Sequence, residues 1–373
     1  MRIGFDAKRA FNNHSGLGNY SRNLISGLNN YYPGNQYFLY TPKQVNGLFA
    51  VPWNCSLIKT PSKAIHKTFS SYWRTYAISK DINRDQLDIY HGLSHELPVG
   101  IEKQNCKSVV TIHDLIFLRH PELYKGIDRW IYKKKFQNAC EKADKIVAVS
   151  KQTADDIRSL FKINPTKIDV VYQGCNPVFQ EIANEETRKS VREKYKLPEQ
   201  YLLYIGTIER RKNLLSLVKA LHQSNLSVPL IAIGRKTDYF REITDYIHKN
   251  RLNSVYFLNI INNDELPAIY QMAKVFVYPS LFEGFGIPVL ESLFSKTPVI
   301  TSRGGCFPEA GGPGSLYVDP LNVEEIADAL QRVTNDENLR NRMIEAGIKY
   351  AGKFTPEKTT EEMMKVYKNM PDQ

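Results

Sequence analysis

The sequence predicts an α/β protein built from two doubly wound parallel-sheet domains, and three observations carry that expectation. The chain has 373 residues, which at roughly 150 residues per domain suggests two to three domains. Short apolar runs alternate with helical periodicity almost throughout, as in sheets whose parallel strands are covered on both faces. The pattern then restarts near Tyr201, after a polar stretch from Gln180 to Gln200 with Pro198 just before the new strand. Hydrophobic residues at 42% and charged residues at 24% are ordinary for a globular core. They exclude disordered, collagen-like and coiled-coil classes. No run approaches the roughly 18 apolar residues of a membrane span. Charges at Arg2, Asp6 and Lys8 interrupt what an export signal would need to be apolar. Five cysteines, scattered and never in a C-x-x-C pair, fit reduced thiols and give no zinc or disulfide framework.

In chain order, Arg2–Ala7, Gln36–Tyr40, Leu87–His91, Ser108–His113, Lys145–Ser150 and Lys167–Tyr172 are expected strands. Helices are expected near 17–31, 65–79, 125–142 and 151–162. In the second half the strands are Tyr201–Gly206, Pro229–Gly234, Val255–Leu258, Val275–Pro279, Pro298–Thr301 and Ser315–Val318. Helices fit 213–223, 238–250, 264–273, 287–295, 322–334 and 336–352. The expected domains are 1–180 and 195–354, with a final helix, 356–370, that could cross back to the first. Ligands of doubly wound sheets lie beyond the carboxyl ends of the strands, so the loops after each strand are where chemistry belongs.

Several of those loops carry suitable residues. Gly16 and Gly18 open the first helix, where glycine lets backbone approach a ligand and free amides face an anion; Ser21 stands where a dinucleotide fingerprint wants its third glycine. Gly206-Thr207-Ile208-Glu209-Arg210-Arg211-Lys212-Asn213 places three cations before a helix. Cations there meet the unfavourable end of the helix dipole unless an anion is bound. Pro279-Ser280-Leu281-Phe282-Glu283-Gly284-Phe285-Gly286-Ile287-Pro288-Val289-Leu290-Glu291 combines a glycine loop, a proline suited to a first helical turn and two carboxylates. Amides around Gly284 to Ile287 could hold phosphate, and Glu283 and Glu291 could accept from hydroxyls on either side of it. Ser302 to Gly312 is a second glycine-rich loop, and Thr111-Ile112-His113-Asp114 puts a histidine at a strand end. His91 and His95 follow a strand and lack the His-Glu-x-x-His order, so no metal is expected there.

Together these residues resemble the retaining glycosyltransferases of family 4, whose GT-B fold has two facing Rossmann-like domains with a cleft between them. The resemblance runs essentially end to end. It rests on Glu283 to Glu291, on Gly206-Thr207 with Arg211-Lys212-Asn213, on Val149-Ser150, on Val170 to Gly174 and on Leu316-Tyr317-Val318-Asp319-Pro320. It implies that Arg211 and Lys212 hold a donor diphosphate, that Glu291 binds ribose and that Glu283 binds the donor sugar. It further implies that Gly284, Phe285 and Gly286 meet the phosphates and sugar through their backbone. Gly16 and Gly18 would admit the donor, His113 would contact the sugar near the reacting carbon, and Arg235 would face the base. No metal and no cofactor is implied. The donor would be a nucleotide sugar, GDP-mannose by the look of the mannosyltransferase-like branch, with UDP-glucose or UDP-galactose as alternative. The acceptor would be a glycan or a lipid-linked one in surface polysaccharide synthesis. A GT-B-fold sugar-nucleotide epimerase is the rival enzyme class.

The charge is uneven. Residues 1–180 hold 25 Lys and Arg against 14 Asp and Glu, so the whole net charge of +11 lies there. Such a half suits an anionic partner or a solvated lysine surface. A basic nucleic-acid-binding protein is the non-enzymatic alternative; the preferred reading has no nucleic-acid partner. The enzymes resembled often work on lipid carriers, which gives that charge a use: a cytoplasmic protein held peripherally at the inner membrane face. Phe69, Tyr72, Trp73 and Tyr76, flanked by Lys63, Lys67, Arg74 and Lys80, and the stretch from Arg129 to Phe136 would touch anionic lipid. Burial of these aromatics in a core is the open alternative.

Overall fold

In the computed structural model, which describes residues 1–43, 47–51, 55–63, 66, 68–259 and 261–370, the chain forms two compact units, Met1–Gly174 with Pro356–Gln373 and Cys175–Thr355. The first apolar run becomes strand β1 (Arg2–Asp6). It lies inside a seven-stranded parallel sheet with β2 (Gln36–Tyr40), β3 (Ser56–Lys59), β4 (Ile89–Gly92), β5 (Lys107–Ile112), β6 (Lys145–Ala148) and β7 (Ile168–Val170). The order is β3-β2-β1-β4-β5-β6-β7. The order reverses between β1 and β4, which is where a doubly wound sheet opens a crevice.

Helix Gly16–Tyr31 covers one face because Tyr20, Leu24, Ile25 and Leu28 recur on one stripe and are buried. The final helix, Pro356–Lys368, packs beside it and adds Met363, Met364 and Tyr367 to the same core as Ile3, Phe5 and Leu28. The 356–370 segment therefore belongs to the first unit. Its anchor is polar as well as apolar: the Tyr367 hydroxyl lies 2.7 Å from His91 Nδ1, while His91 Nε2 lies 2.8 Å from Thr111 Oγ1. Burial lowers the His91 pKa to about 3, so the ring is neutral and one nitrogen donates while the other accepts.

The second unit repeats the plan with β8 (Leu202–Ile205), β9 (Leu230–Ile233), β10 (Val255–Leu258), β11 (Val275–Tyr278), β12 (Val299–Ser302) and β13 (Leu316–Val318). All pairings are parallel, in the order β10-β9-β8-β11-β12-β13. Its reversal falls between β8 and β11.

Three features differ from the sequence expectation. The polar stretch 180–200, which the expected domains 1–180 and 195–354 leave as their connection, contains helix Glu185–Tyr195 and belongs to the second unit. Its tie is ionic, since Lys194 Nζ and Tyr195 Oη reach Glu265 at 2.7 and 2.6 Å. Only Val191 of that helix is buried, so no apolar stripe announces it. The chain changes unit at Gly174–Cys175 instead, rather than between 180 and 195. Strand β3 has no counterpart among the expected strands; it is an edge strand with Leu57 half exposed and no apolar run.

The aromatic residues of the first unit divide. Trp73 is buried and donates from Nε1 to Asp81 at 2.8 Å. Phe69, Tyr72, Tyr76 and Trp130 are 62%, 56%, 54% and 59% exposed. Phe136 stacks on His95 at 4.3 Å between ring centroids. Lys67 lies outside the described residues.

Tyr367→Phe strips a partner from a ring nitrogen that water cannot reach. The expected loss is about 1–3 kcal/mol, read as a lowered urea midpoint at unchanged slope. His91→Leu in the same background should recover part of it.

Candidate functional site

The switch point of the second sheet gathers the charged residues. Strand β8 ends at Ile205, and Gly206 then lies against the Lys212 stem; a Cβ there would sit 3.0 Å from Lys212 Cδ. A Cβ on Gly234 would sit 1.9 Å from the Gly206 carbonyl oxygen, so only glycine allows the ends of β8 and β9 to come this close. The turn Arg210–Lys212 then leads through Asn213, at φ 56°, into helix Leu214–Ser224. Asn213 is the clamp of this turn: its side-chain amide donates to the carbonyls of Pro279 at 3.2 Å and Pro320 at 2.7 Å. The Leu281 amide donates to the Arg211 carbonyl at 2.8 Å. The basic turn after β8 and the glutamate loop after β11 are thereby one surface.

Glu283 stands where they meet. Its Oε1 receives Arg211 Nη1 at 2.8 Å, Lys212 Nζ at 3.2 Å, Tyr278 Oη at 2.8 Å and Ser280 Oγ at 2.9 Å. Lys212 also donates to the Tyr278 hydroxyl. Burial alone would push the Glu283 carboxyl up; Lys212 and Arg211 outweigh it and hold it down at about 2. The second oxygen, Oε2, has no such partner among the described residues and can accept from a hydroxyl. One carboxylate can therefore orient both cations and still bind a polyol.

Arg210 does not join this group. It turns outward to pair with Glu242 and lies over the Tyr239 ring. Gly286, at φ 112°, opens helix Ile287–Phe294, with Pro288 in its first turn. A non-glycine residue would be strained at that φ, and the helix start directs amides and the positive dipole end toward the loop. Phe285 is buried with its ring 5.6 Å from Phe354, so its side chain serves packing. The loop after β12 joins the same place, as Cys306 Sγ donates to the Glu283 carbonyl at 3.3 Å and Ser302 Oγ to the Ser280 carbonyl at 2.6 Å.

Glu291 is held differently. It sits on the helix, half-buried, and accepts from Tyr270 Oη at 3.0 Å. Burial raises its pKa to about 7, against the pull of Tyr270 and Lys212. Arg235 is exposed after β9, and its carbonyl accepts from the Ile208 amide at 2.9 Å.

Gly16, Gly18 and His113 belong to the first unit. Gly16 has open space where a Cβ would sit. At Gly18 a Cβ would stand 1.9 Å from the Asn13 carbonyl oxygen, so its glycine is required by packing. His113 is buried and fully engaged: Nε2 donates to the Leu93 carbonyl at 2.9 Å, and Nδ1 lies 3.3 Å from Gln173 Nε2. Burial, helped by His95, lowers its pKa to about 3. Contact with a sugar requires exchange of one of these two bonds. The phenols of Tyr278 and Tyr270, which serve both glutamates, were not singled out from sequence. The position of Tyr278, last in β11, is the signal that could have found it.

Profiles described as Glycosyltransferase Family 4 and Glycosyl transferases group 1 match residues 14–179 and 185–350. The O-antigen chain mannosyltransferase B of Escherichia coli is 31% identical over 295 residues, covering 76% of this chain and 75% of that protein. The chain belongs to the family 4 glycosyltransferases. It is accordingly a hexosyltransferase. The O-antigen chain mannosyltransferase RfbU of Salmonella typhimurium is 29% identical over 237 residues, covering 61% of this chain and 63% of that protein. Among solved structures, sucrose-phosphate synthase from Thermosynechococcus elongatus superposes with a TM-score of 0.79 at 21% identity, covering 99% and 98% of the two chains. Anabaena HepE in complex with UDP and glucose gives 0.74 at 15% identity, over 99% of each chain. These establish the GT-B fold of the family.

The raised Glu291 pKa has a sign that can be checked. The folded state keeps the proton that the unfolded chain loses near 4.5. The stabilising contribution is thus full below 4.5 and is lost as pH rises through about 7. Urea stability of the wild type relative to Glu291→Gln should fall across that window and be level above it.

Proposed function

We propose that this hexosyltransferase is a retaining, metal-independent mannosyltransferase. It would take mannose from a nucleotide sugar, GDP-mannose by preference, and add it to a glycan or lipid-linked acceptor in surface polysaccharide synthesis. The observation that carries the donor half is the joining of Arg211, Lys212 and Glu283 at the switch point. The preference for mannose is supported by the names of the two relatives described above.

The chemistry follows from the charges. Departure of a nucleoside diphosphate builds negative charge on its outer phosphate. Arg211 and Lys212 supply fixed positive charge, and the amides opening the helix at Ile287 add a dipole. Glu283 keeps both cations in place, so they need little reorganisation when the anion arrives. Its Oε2 accepts from a hydroxyl of the donor sugar, and Glu291 accepts from the ribose. The backbone of Gly284, Phe285 and Gly286 lines the phosphates, Gly16 admits them in the first unit, and Arg235 faces the base. His113 exchanges one of its two ring hydrogen bonds for a sugar hydroxyl. In a retaining transfer the leaving phosphate oxygen takes the acceptor proton on the face it vacates, while the acceptor oxygen bonds to the anomeric carbon on that same face.

Lys212→Ala and Glu283→Gln should each lower transfer by about 10²–10³ while circular dichroism stays native. Wild-type rates in both would remove the proposal. In a thermal-shift panel of GDP, UDP and ADP, GDP should raise the melting temperature most, since a ligand of the folded state stabilises it by mass action.

A second element concerns location. The exposed rings of Phe69, Tyr72, Tyr76 and Trp130 favour peripheral contact with an anionic membrane over core packing for those four residues. Lys134 lies over the Trp130 ring at 4.6 Å, which couples a cation to an insertable aromatic. The protein should sediment with vesicles containing anionic lipid at low salt and be released at high salt. No binding at low salt would dismiss this contact.

A further inference from the structure

Helix Leu266–Met272 turns Pro267, Ala268, Ile269 and Tyr270 into the core. A phenol buried this deeply must find a partner for its hydroxyl. The Tyr270 ring lies against Phe179 and Phe276, with centroids at 5.7 and 5.2 Å. Its backbone is fixed as well: the Thr297 hydroxyl donates to the Tyr270 carbonyl at 2.6 Å, and the Tyr201 hydroxyl donates to the Ile269 carbonyl at 2.6 Å. Held by ring and backbone, Tyr270 aims its hydroxyl at Glu291 Oε2, 3.0 Å away, with the Pro288 carbonyl at 3.4 Å beside it. Among the described residues this is the hydrogen bond that Glu291 accepts on its carboxylate, and Oε1 takes none.

We propose that Tyr270 is a positioning residue for nucleotide recognition, fixing one oxygen of Glu291 so that the other meets the ribose hydroxyls of the donor. The inference rests on the reading above that Glu291 accepts from the ribose, and it names what makes that contact selective. A glutamate side chain has several free torsions, and ordering them on binding costs affinity. The other groups that face Glu291 give it no direction. Lys212 attracts it through space but donates to Glu283 and Tyr278. Burial keeps the Cys175 thiol neutral. Burial likewise raises the Tyr270 phenol well above its usual pKa, so it remains a donor. Glu291 itself is raised to about 7 by burial, and the Tyr270 hydrogen bond opposes that rise. The ionised carboxylate is the stronger acceptor. Ribose recognition is therefore weak below about 7 and full above it, and loss of the phenol moves that window upward.

The test is calorimetry on the full chain with GDP, 2′,3′-dideoxy-GDP and inorganic pyrophosphate across the pH range. The ratio of the dideoxy-GDP Kd to the GDP Kd isolates the ribose, because both nucleotides carry the same titrating phosphates. The uridine pair supplies the same ratio if uracil is the base. In the wild type the ratio should be about tenfold or more at alkaline pH and shrink as pH falls through about 7. Tyr270→Phe keeps the ring in the core. It should cut the ratio by about fivefold at neutral pH, move its midpoint upward and leave the pyrophosphate Kd within about twofold of wild type. Placed in a Glu291→Gln background, the same substitution should leave the ratio unchanged. A merely structural role would weaken all three ligands alike and leave the midpoint in place; that result, or an unaltered ratio in Tyr270→Phe, overturns the proposal. A wild-type ratio near one at every pH shows instead that Glu291 does not meet the ribose, so the underlying reading fails first and removes the proposal with it.

Discussion

One buried carboxylate oxygen organises the second unit. Glu283 Oε1 collects a guanidinium, an ammonium and two hydroxyls. None of these groups would be placed as it is without the others. Arg211 and Lys212 leave consecutive positions of a turn, and two adjacent cations repel; an anion of fixed position is what lets them converge. Removing one member of such a group would leave the rest uncompensated in a desolvated place, a cost of several kcal/mol. The arrangement is therefore stiff, and Glu209 completes it by accepting from Arg211 Nη2 at 2.6 Å.

That stiffness reaches back into the fold. Asn213 can clamp the basic turn only from a left-handed backbone, which asparagine tolerates better than most residues. Gly206 and Gly234 allow the ends of β8 and β9 to come close enough to set the turn against the sheet. Buried Tyr278, at the end of β11, and Tyr270, on helix Leu266–Met272, supply donors that are rigid and uncharged; burial raises both phenols well above their usual pKa, so they stay donors. Glu291 lacks such cationic company, and its carboxyl is raised where that of Glu283 is depressed. The two glutamates of one motif thus differ in kind: one is an anchored anion, the other a group poised near neutrality.

The parallel strands were legible because each is an apolar run, and the cation turn and glutamate loop because loops after strands carry chemistry. The spatial meeting of Arg211 with Glu283 was not legible from spacing, since 71 residues separate Arg211 from Phe282, whose carbonyl it also binds. Helix Glu185–Tyr195 escaped because hydrophobic periodicity cannot report an element held by Lys194, Tyr195 and Glu265. His113 was visible as a strand-end histidine, but periodicity could not reveal that both its ring nitrogens are already engaged. Arg74 reads as a surface charge among aromatics, yet the fold turns it inward onto Asp6, and of the four aromatics expected on one outer face Trp73 alone is buried.

The two sheets share a strand plan and place ion clusters at both switch points. Beyond β1 and β4, Arg74 bridges Asp6 and Glu96, and the half-buried Lys8 lies within reach of all three charges. Beyond β8 and β11, Arg211 pairs with both Glu209 and Glu283, and Lys212 with Glu283. The difference lies in how the cations are held. At the second sheet Tyr278 and Ser280 join them on the same carboxylate oxygen. Cations fixed in this way need little reorganisation when the charge of a departing diphosphate grows, which is why the second sheet suits the donor.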